Sequence, residues 1–482
     1  MADDELCFMS ATRMVEAFER RELSPAEVAA AQLERIRDLD GKLNAFRLVD
    51  EETTLEEARR SELRYGQLRR VGLVDGVPVA IKDSFHTAGW STLFGSRTVD
   101  PDGEWLEEAP TVSSLRRHNG VRIGKTTMPE FGWKAVTDSP LTGVTRNPWD
   151  RGLTPGGSSG GNAVALATGM CTLALGSDIG GSVRIPASFC GVVGFKPTQN
   201  LAPIREEFKS GLLLHSGVMA RTVEDVALAM DVVGEWDPGR PSRPMRSESF
   251  SEALREDVEG LRVAVLPELG VPRADREVRD SVLEAARTLE LLGAWVSEVK
   301  LGLDHVTDLY TALIVPVLAL EVEEVEPGRR DLLDPGLRET AEAGRSLTAA
   351  HYVKALQQRR GLIAKLGELQ EYYDVLLTAT VPIRPFEVGR EVPEGWDGGH
   401  RWWSWTPLTY PFNITGQPAI SVPQGFTSDG LPIGVQLVGF RHGEDVVLKA
   451  AHAYQRANPL FHVRPPVLGS MATREGRMGP SI

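Results

Sequence analysis

The chain has 482 residues, 41% of them hydrophobic and 25% charged, which is enough apolar material for a packed core and excludes a fibrous or globally disordered protein. Acidic residues outnumber basic ones, 67 to 53, giving a formal net charge of -14 with no Lys/Arg stripe for phosphate contacts. Nucleic acid and anionic membrane are therefore excluded as direct partners. Three cysteines, Cys7, Cys171 and Cys190, are too few and too scattered for a disulfide framework or a zinc site. The histidines follow no metal-ligand spacing, so no metal and no cofactor is expected. Met1-Ala2-Asp3-Asp4-Glu5 lacks the basic and apolar regions of a secretion signal. The longest nearly apolar stretch, 311–320, is too short to span a bilayer, and the expected location is cytoplasmic.

In chain order, Ser24-Pro25-Ala26-Glu27 reads as a capping box with proline at the first helical position. Leu33, Ile36 and Leu39 give the helix that follows an apolar face. A charged helix is expected over 51–65, and 77–81 reads as a buried strand that delivers Lys82 at its end. Gly, Ser and small residues dominate 145–198, with a helix at 162–168 closed by Gly169 and a buried strand at 171–175. A helix over 222–233 precedes a Pro/Arg/Ser-rich connector at 237–248. A strand at 261–266, an amphipathic helix at 280–292 and strands at 375–377, 419–422 and 433–438 follow. A Gly- and Trp-rich loop occupies 394–405, and the polar tail after Pro466 reads as loose. This alternation predicts an α/β fold built on a single large mixed, mostly parallel sheet flanked by helices on both faces.

The strongest local signal is Gly156-Gly157-Ser158-Ser159-Gly160-Gly161, followed by Asp178-Ile179-Gly180-Gly181-Ser182-Val183-Arg184. Glycine permits positive φ and close approach of a substrate to the backbone. Ile179, Gly180 and Gly181 can therefore aim successive N–H groups at one point, as an oxyanion hole requires. Either Gly-rich turn alone is weak evidence and reads more readily as a flexible surface turn.

Together with Lys82, the pattern resembles the amidase signature family. The resemblance runs from Gly76-Val77-Pro78-Val79-Ala80-Ile81-Lys82-Asp83 through Arg146-Asn147-Pro148-Trp149 and both serine motifs to Gly191-Val192-Val193-Gly194-Phe195-Lys196-Pro197-Thr198. It resumes at Pro411-Phe412-Asn413-Ile414-Thr415-Gly416-Gln417-Pro418 and continues to Pro423. The resemblance implies the fold of that family and hydrolysis of amide C–N bonds. It makes Ser182 the nucleophile, Ser158 the bridging serine, with a cis Gly157–Ser158 bond, and Lys82 the base. It also implies an N-terminal helical segment at 1–70, the signature core at 71–236, the rest of the same domain with variable substrate loops at 237–465, and a tail at 466–482.

The chemistry fits those roles. A serine hydroxyl is a poor nucleophile until a base takes its proton. Lysine is a base only when neutral, which burial favours, and Ser158 can accept and donate to relay the proton. Ser–Lys arrangements are a known variant of triad logic. Asp178 and Arg184 are expected to pin the nucleophile turn, Ser159 to be structural, and Lys196 to support the strand after it. The expected partner is a small-molecule amide, with a homodimer left open.

Three rival readings remain in view. Gly157-Ser158-Ser159-Gly160-Gly161 also satisfies G-x-S-x-G, which would make Ser159 the nucleophile of an esterase using, for example, Asp397 and His442. Ser297-Glu298-Val299-Lys300 matches S-x-x-K, but its companion K-T-G is absent. Some members of the amidase signature family are glutamine-hydrolysing subunits of tRNA-dependent amidotransferases. Those carry an acidic residue just before the turn matching Asn413-Ile414-Thr415-Gly416, whereas 405–412 contains none here. Trp396, Trp402, Trp403 and Trp405 either pack their loop onto the core or line a pocket for bulky apolar or aryl amides, anilides or carbamates.

Overall fold

The computed structural model describes residues 3–67, 69–203, 211–235, 249–267, 274–303 and 305–469. The connector expected at 237–248 and the tail from 470 onward lie outside them. The N-terminal capping box forms as its sequence dictates. Ser24 caps the helix Pro25–Leu43, its hydroxyl taking the Ala26 N–H, while the Glu27 carboxylate takes the Ser24 N–H at 2.9 Å. The helix ends where Asn44 turns left-handed at φ 55°. At the other end, Pro466–Leu468 forms a 3-10 turn, with Val467 and Leu468 packed on the core, so this part of the expected tail is held in place.

The strands are β1 Phe46–Val49, β2 Pro78–Lys82, β3 Val121–Thr126, β4 Asp138–Ser139, β5 Gly143–Val144, β6 Leu173–Asp178, β7 Val193–Lys196, β8 His215–Ala220, β9 Arg262–Val265, β10 Trp295–Glu298, β11 Val375–Ala379, β12 Ala419–Phe426 and β13 Pro432–Val438. Eleven of them make one mixed sheet in the order β1-β3-β2-β6-β8-β7-β12-β13-β11-β9-β10. Along β2, Val79 and Ile81 join one hydrophobic core with the helix Val223–Val233, while Ala80 joins another with the helix Gly160–Ala167. Side chains alternate across a strand, so helices cover both faces of the sheet.

The expectation of a mostly parallel sheet is corrected. Pairings β2–β3, β2–β6, β9–β10 and β9–β11 are parallel, but β1–β3, β6–β8, β7–β8, β7–β12, β12–β13 and β11–β13 are antiparallel. The reason lies in the centre. The short strands β7 and β8, each interrupted by one glycine and carrying Lys196 and His215, show no clean alternation, and they enter between β6 and β12 in antiparallel pairings. β12 and β13 are a hairpin closed by the turn in which Thr427 N–H donates to Leu431 O at 2.8 Å. Other expected elements form with shifted ends. The strand at 171–175 begins two residues later and ends three residues later, at β6, and the helix at 280–292 begins at Arg276 behind an Asp275 cap. The apolar stretch 311–320 lies in a helix, Val306–Glu324, and no helix among the described residues is long and apolar enough to cross a membrane.

Candidate active site

β2 and β6 run side by side and parallel, with Ile81 opposite Leu175, so Lys82 and Ser177 emerge together at their carboxyl ends. Open α/β sheets bind ligands at such ends. Lys82 Nζ lies 2.6 Å from Ser158 Oγ, 3.0 Å from Ser177 Oγ and 3.4 Å from Ser177 O, all buried. Burial lowers the Lys82 ammonium from 10.5 to about 7, against the opposing pull of Asp178. A neutral amine has two N–H groups and one lone pair. Ser177 offers two acceptors for the N–H groups, which leaves the lone pair to the Ser158 hydroxyl. Ser84 Oγ supports Ser177 Oγ at 3.3 Å.

The peptide bond between Gly157 and Ser158 is cis, as the resemblance implies. The two serine motifs are tied together by their backbones, since Ser159 N–H donates to Ser182 O at 3.0 Å. Ser159 Oγ donates to Ser177 O at 3.4 Å, while His442, the base named in the esterase reading, lies beside Thr198, its backbone N–H donating to Thr198 Oγ1 at 2.9 Å. Gly132, at φ 68°, closes the other side of Ser158: a Cβ there would come 3.4 Å from Ser158 Oγ.

The turn after β6 hangs on a buried ion pair. Arg184 reaches both Asp178 oxygens, Nε to Oδ2 at 3.0 Å and Nη2 to Oδ1 at 2.9 Å. It also donates to Asn413 Oδ1 at 2.7 Å, Gln436 Oε1 at 2.6 Å and Thr409 O at 3.0 Å. Burial works to raise the Asp178 carboxyl, but the Arg184 guanidinium outweighs it and holds the carboxyl well below its ordinary value. Asp178 in turn receives Gly181 N–H at 2.8 Å and Val183 N–H at 3.1 Å. The expected pinning role of Asp178 and Arg184 is what the geometry shows. Ser182 is 7% exposed at the head of the helix Arg184–Cys190.

The three expected oxyanion residues divide. Ile179 and Gly180 keep their N–H groups without a partner among the described residues. The Gly181 N–H is already engaged by Asp178, so its contribution is shape: φ is 125°, and a Cβ would fall 2.5 Å from Thr409 Oγ1. Thr409 Oγ1 also donates to Gly180 O at 2.6 Å. Lys196 does not merely precede a strand; it is the last residue of β7, buried, and donates to Pro197 O at 3.2 Å and to Gln417 O.

The tryptophans separate as well. Trp405 stacks on Phe189 at 6.0 Å and donates to Glu391 O at 3.0 Å, so it packs the loop. Glu391 also takes Trp402 N–H at 2.9 Å and Arg401 Nη1 at 3.2 Å. Trp396 faces a cavity of about 540 Å³ lined also by Trp149, Arg384 and Phe386 but by none of Lys82, Ser158 and Ser182. Trp402 is the one at the turn: a Cβ on Gly180 would fall 2.8 Å from its Cη2 and 3.0 Å from Tyr310 Cζ. Sequence reasoning missed Ser177, Gly132 and Tyr310. Ser177 was findable as the hydroxyl next to Asp178, whereas Tyr310 sits in an apolar helix with no local signal. Among the described residues no group of three or more His, Cys, Asp or Glu is placed to hold a metal ion.

Residues 27–448 match the Amidase family. The chain belongs to that family. This amidase is 33% identical to an acylamidase of Rhodococcus erythropolis over 96% of this chain and 98% of that protein. It is 34% identical to a glutamyl-tRNA(Gln) amidotransferase subunit of Alkaliphilus metalliredigens over 92% of this chain and 96% of that protein. The structure of a bacterial aryl acylamidase of the amidase signature family superposes with a TM-score of 0.87 at 29% identity, covering 94% of this chain and 96% of that one. The protein is thus an amidase signature amidohydrolase, and its relatives include both acylamidases and amidotransferase subunits.

Proposed function

We propose that this amidase cleaves carboxylic amides through an acyl-enzyme on Ser182, with Ser158 and Lys82 as the proton relay. The observation that carries the reading is the 2.6 Å approach of Ser158 Oγ to a fully buried lysine whose ammonium is lowered to about 7. As Ser182 Oγ attacks the carbonyl carbon, its proton passes to Ser158, whose own proton passes to neutral Lys82. The N–H groups of Ile179 and Gly180 receive the developing oxyanion, and the engaged Gly181 fixes their direction. The C–N bond breaks as the proton returns from Lys82 through Ser158 to the leaving nitrogen. Water then attacks the acyl ester, giving its proton to the same relay, and Ser182 is reprotonated as the acid departs.

The substrate reading is bulky apolar or aryl amides, anilides and aryl carbamates in preference to free glutamine. It rests on Trp402 and Tyr310 against Gly180 and on the absence of an acidic side chain in 405–412. Similarity to the amidotransferase protein of Alkaliphilus metalliredigens favours a second reading, a glutamine-hydrolysing component of a larger complex. A fluorophosphonate probe should label Ser182 in the parent and in Ser159→Ala, and fail to label Ser182→Ala. Labelling at Ser159, with Ser182→Ala still active, overturns the mechanism. Specificity constants for an anilide, a small aliphatic amide and glutamine decide the substrate, with glutamine as best substrate favouring the second reading.

A further inference from the structure

The fold satisfies most of its buried ring donors. Tyr65 Oη donates to Asp75 O at 3.0 Å, and Tyr410 Oη pairs with Thr307 Oγ1 at 2.7 Å. The indoles of Trp90, Trp149, Trp396 and Trp405 each donate to an oxygen as well. Two neighbours at the nucleophile turn break this rule. Tyr310 Oη and Trp402 Nε1 are buried and have no partner among the described residues. Leaving such a donor unmade costs about 1–3 kcal/mol, so an unpaired pair at one place asks for an explanation.

Both rings are held firmly. Tyr310 stacks on Tyr410 with centroids 4.4 Å apart and meets Trp402 edge-on at 5.7 Å. Both crowd Gly180, whose missing side chain is what admits them. Burial and then the charge of Asp178 keep the Tyr310 phenol protonated, hence a donor. Asp178 opposes a second negative charge here, and its partner Arg184 is already bound by two carboxylate oxygens, two side-chain amides and a carbonyl. An anionic acceptor would thus be desolvated without a counter-charge, whereas an uncharged oxygen needs only a donor.

We infer that Tyr310 Oη and Trp402 Nε1 form a subsite for a second, uncharged oxygen acceptor of the substrate, an ether, ester, amide or carbamate oxygen close to the scissile carbonyl. This rests on the proposed role of Ser182, because Gly180 belongs to the turn that presents it. Trp133 Nε1 is also unpaired, but its ring packs on Gly336 and it is not part of this pair.

The test compares substrates that differ only by oxygen for methylene: methoxyacetanilide with butyranilide, and methyl N-phenylcarbamate with propionanilide. Specificity constants are measured for the parent, Tyr310→Phe and Trp402→Phe, together with thermal melting. Intrinsic reactivity cancels when each oxygen-to-methylene ratio is compared with the parent's. We expect that ratio to fall about three- to tenfold in at least one pair for both variants, with melting temperature unchanged or raised. Unchanged ratios in both pairs overturn the subsite. So does an equal loss on both members of each pair, which would place Tyr310 on the oxyanion or the turn. A melting temperature lowered by several degrees in Tyr310→Phe would reveal a structural partner, such as a buried water, and also overturn it. Ser182 labelling by fluorophosphonate in each variant keeps failure of the subsite distinct from failure of the nucleophile assignment.

Discussion

A lysine serves as a base near neutral pH only where the protein makes its charged form expensive, and Lys82 is in such a place. Its ammonium is lowered to about 7, so the neutral base is lost as pH falls through that value. We expect kcat to rise from pH 6 and level off above about 8, measured on an anilide. Lys82→Arg should stay inactive at every pH, because guanidinium remains protonated. The same burial has a stability consequence. The unfolded chain binds a proton on Lys82 up to 10.5 while the folded one releases it near 7, so the lysine's unfavourable contribution is full below pH 7 and fades as pH rises toward 10.5. Lys82→Met should therefore be inactive yet more stable at pH 6.5, by up to about 4 kcal/mol. Urea titrations at pH 6.5 and 9.5 should show that advantage shrinking. Lys82 was legible because it ends an apolar strand within a recognisable motif. Ser177, which accepts from it, has only its place beside Asp178 as a signal, and that shows its use only once β2 and β6 are known to lie side by side.

At the scale of elements, the turn proposed to carry the nucleophile is only as good as the ion pair behind it. Arg184→Met would leave Asp178 charged, buried and unpaired, with an expected loss of about 3–5 kcal/mol in urea denaturation and of most turnover. Gly181→Ala forces a side chain into φ 125° and onto Thr409 Oγ1, and should lower kcat at least about tenfold while binding of substrate changes less. These glycines were readable in the sequence because backbone demands of that kind admit little else. The division of labour among them was not, since the engagement of the Gly181 N–H depends on where Asp178 points. The tryptophan loop shows the same limit. Indoles close in sequence face different surroundings: Trp405 lies against Phe189, Trp402 against Gly180 and Trp396 in a separate cavity. Trp405→Ala should accordingly cost about 3–5 kcal/mol of stability, by the same urea titration, as loss of a buried aromatic does. Trp402→Ala should act on the ranking of substrates.

Across the whole molecule, alternation of strands and helices was enough to foresee a large mixed sheet with helices on both faces. It was not enough to foresee its antiparallel centre, because β7 and β8 are short, each broken by a glycine, and carry no pattern that gives the direction of their pairing. That centre is what joins distant stretches of chain at the site. Lys82 meets Ser158 across 76 residues, and Arg184 meets Gln436 across 252. No segment holds the machinery by itself, so Ser182 labelling and far-UV circular dichroism should vanish in urea over the same concentration range. Labelling lost well before the dichroism would show that the site loosens ahead of the sheet.

Glu391 gathers the Trp402 N–H, the Arg401 guanidinium and, through its carbonyl, the Trp405 indole, while the rings reach outward, Trp402 to Gly180 and Tyr310 and Trp405 to Phe189. The grip on the nucleophile turn comes instead from Asn413 and Gln436, both outside the stretch from 391 to 405. A segment fastened in this manner is a cassette. With Trp402 and Trp405 kept, the rest of it can be exchanged for the matching stretch of another amidase while the hydrogen bonds of Arg184 to Asn413 and Gln436 stay in place, which gives evolution, and the protein engineer, a way to change what is cut without rebuilding what does the cutting.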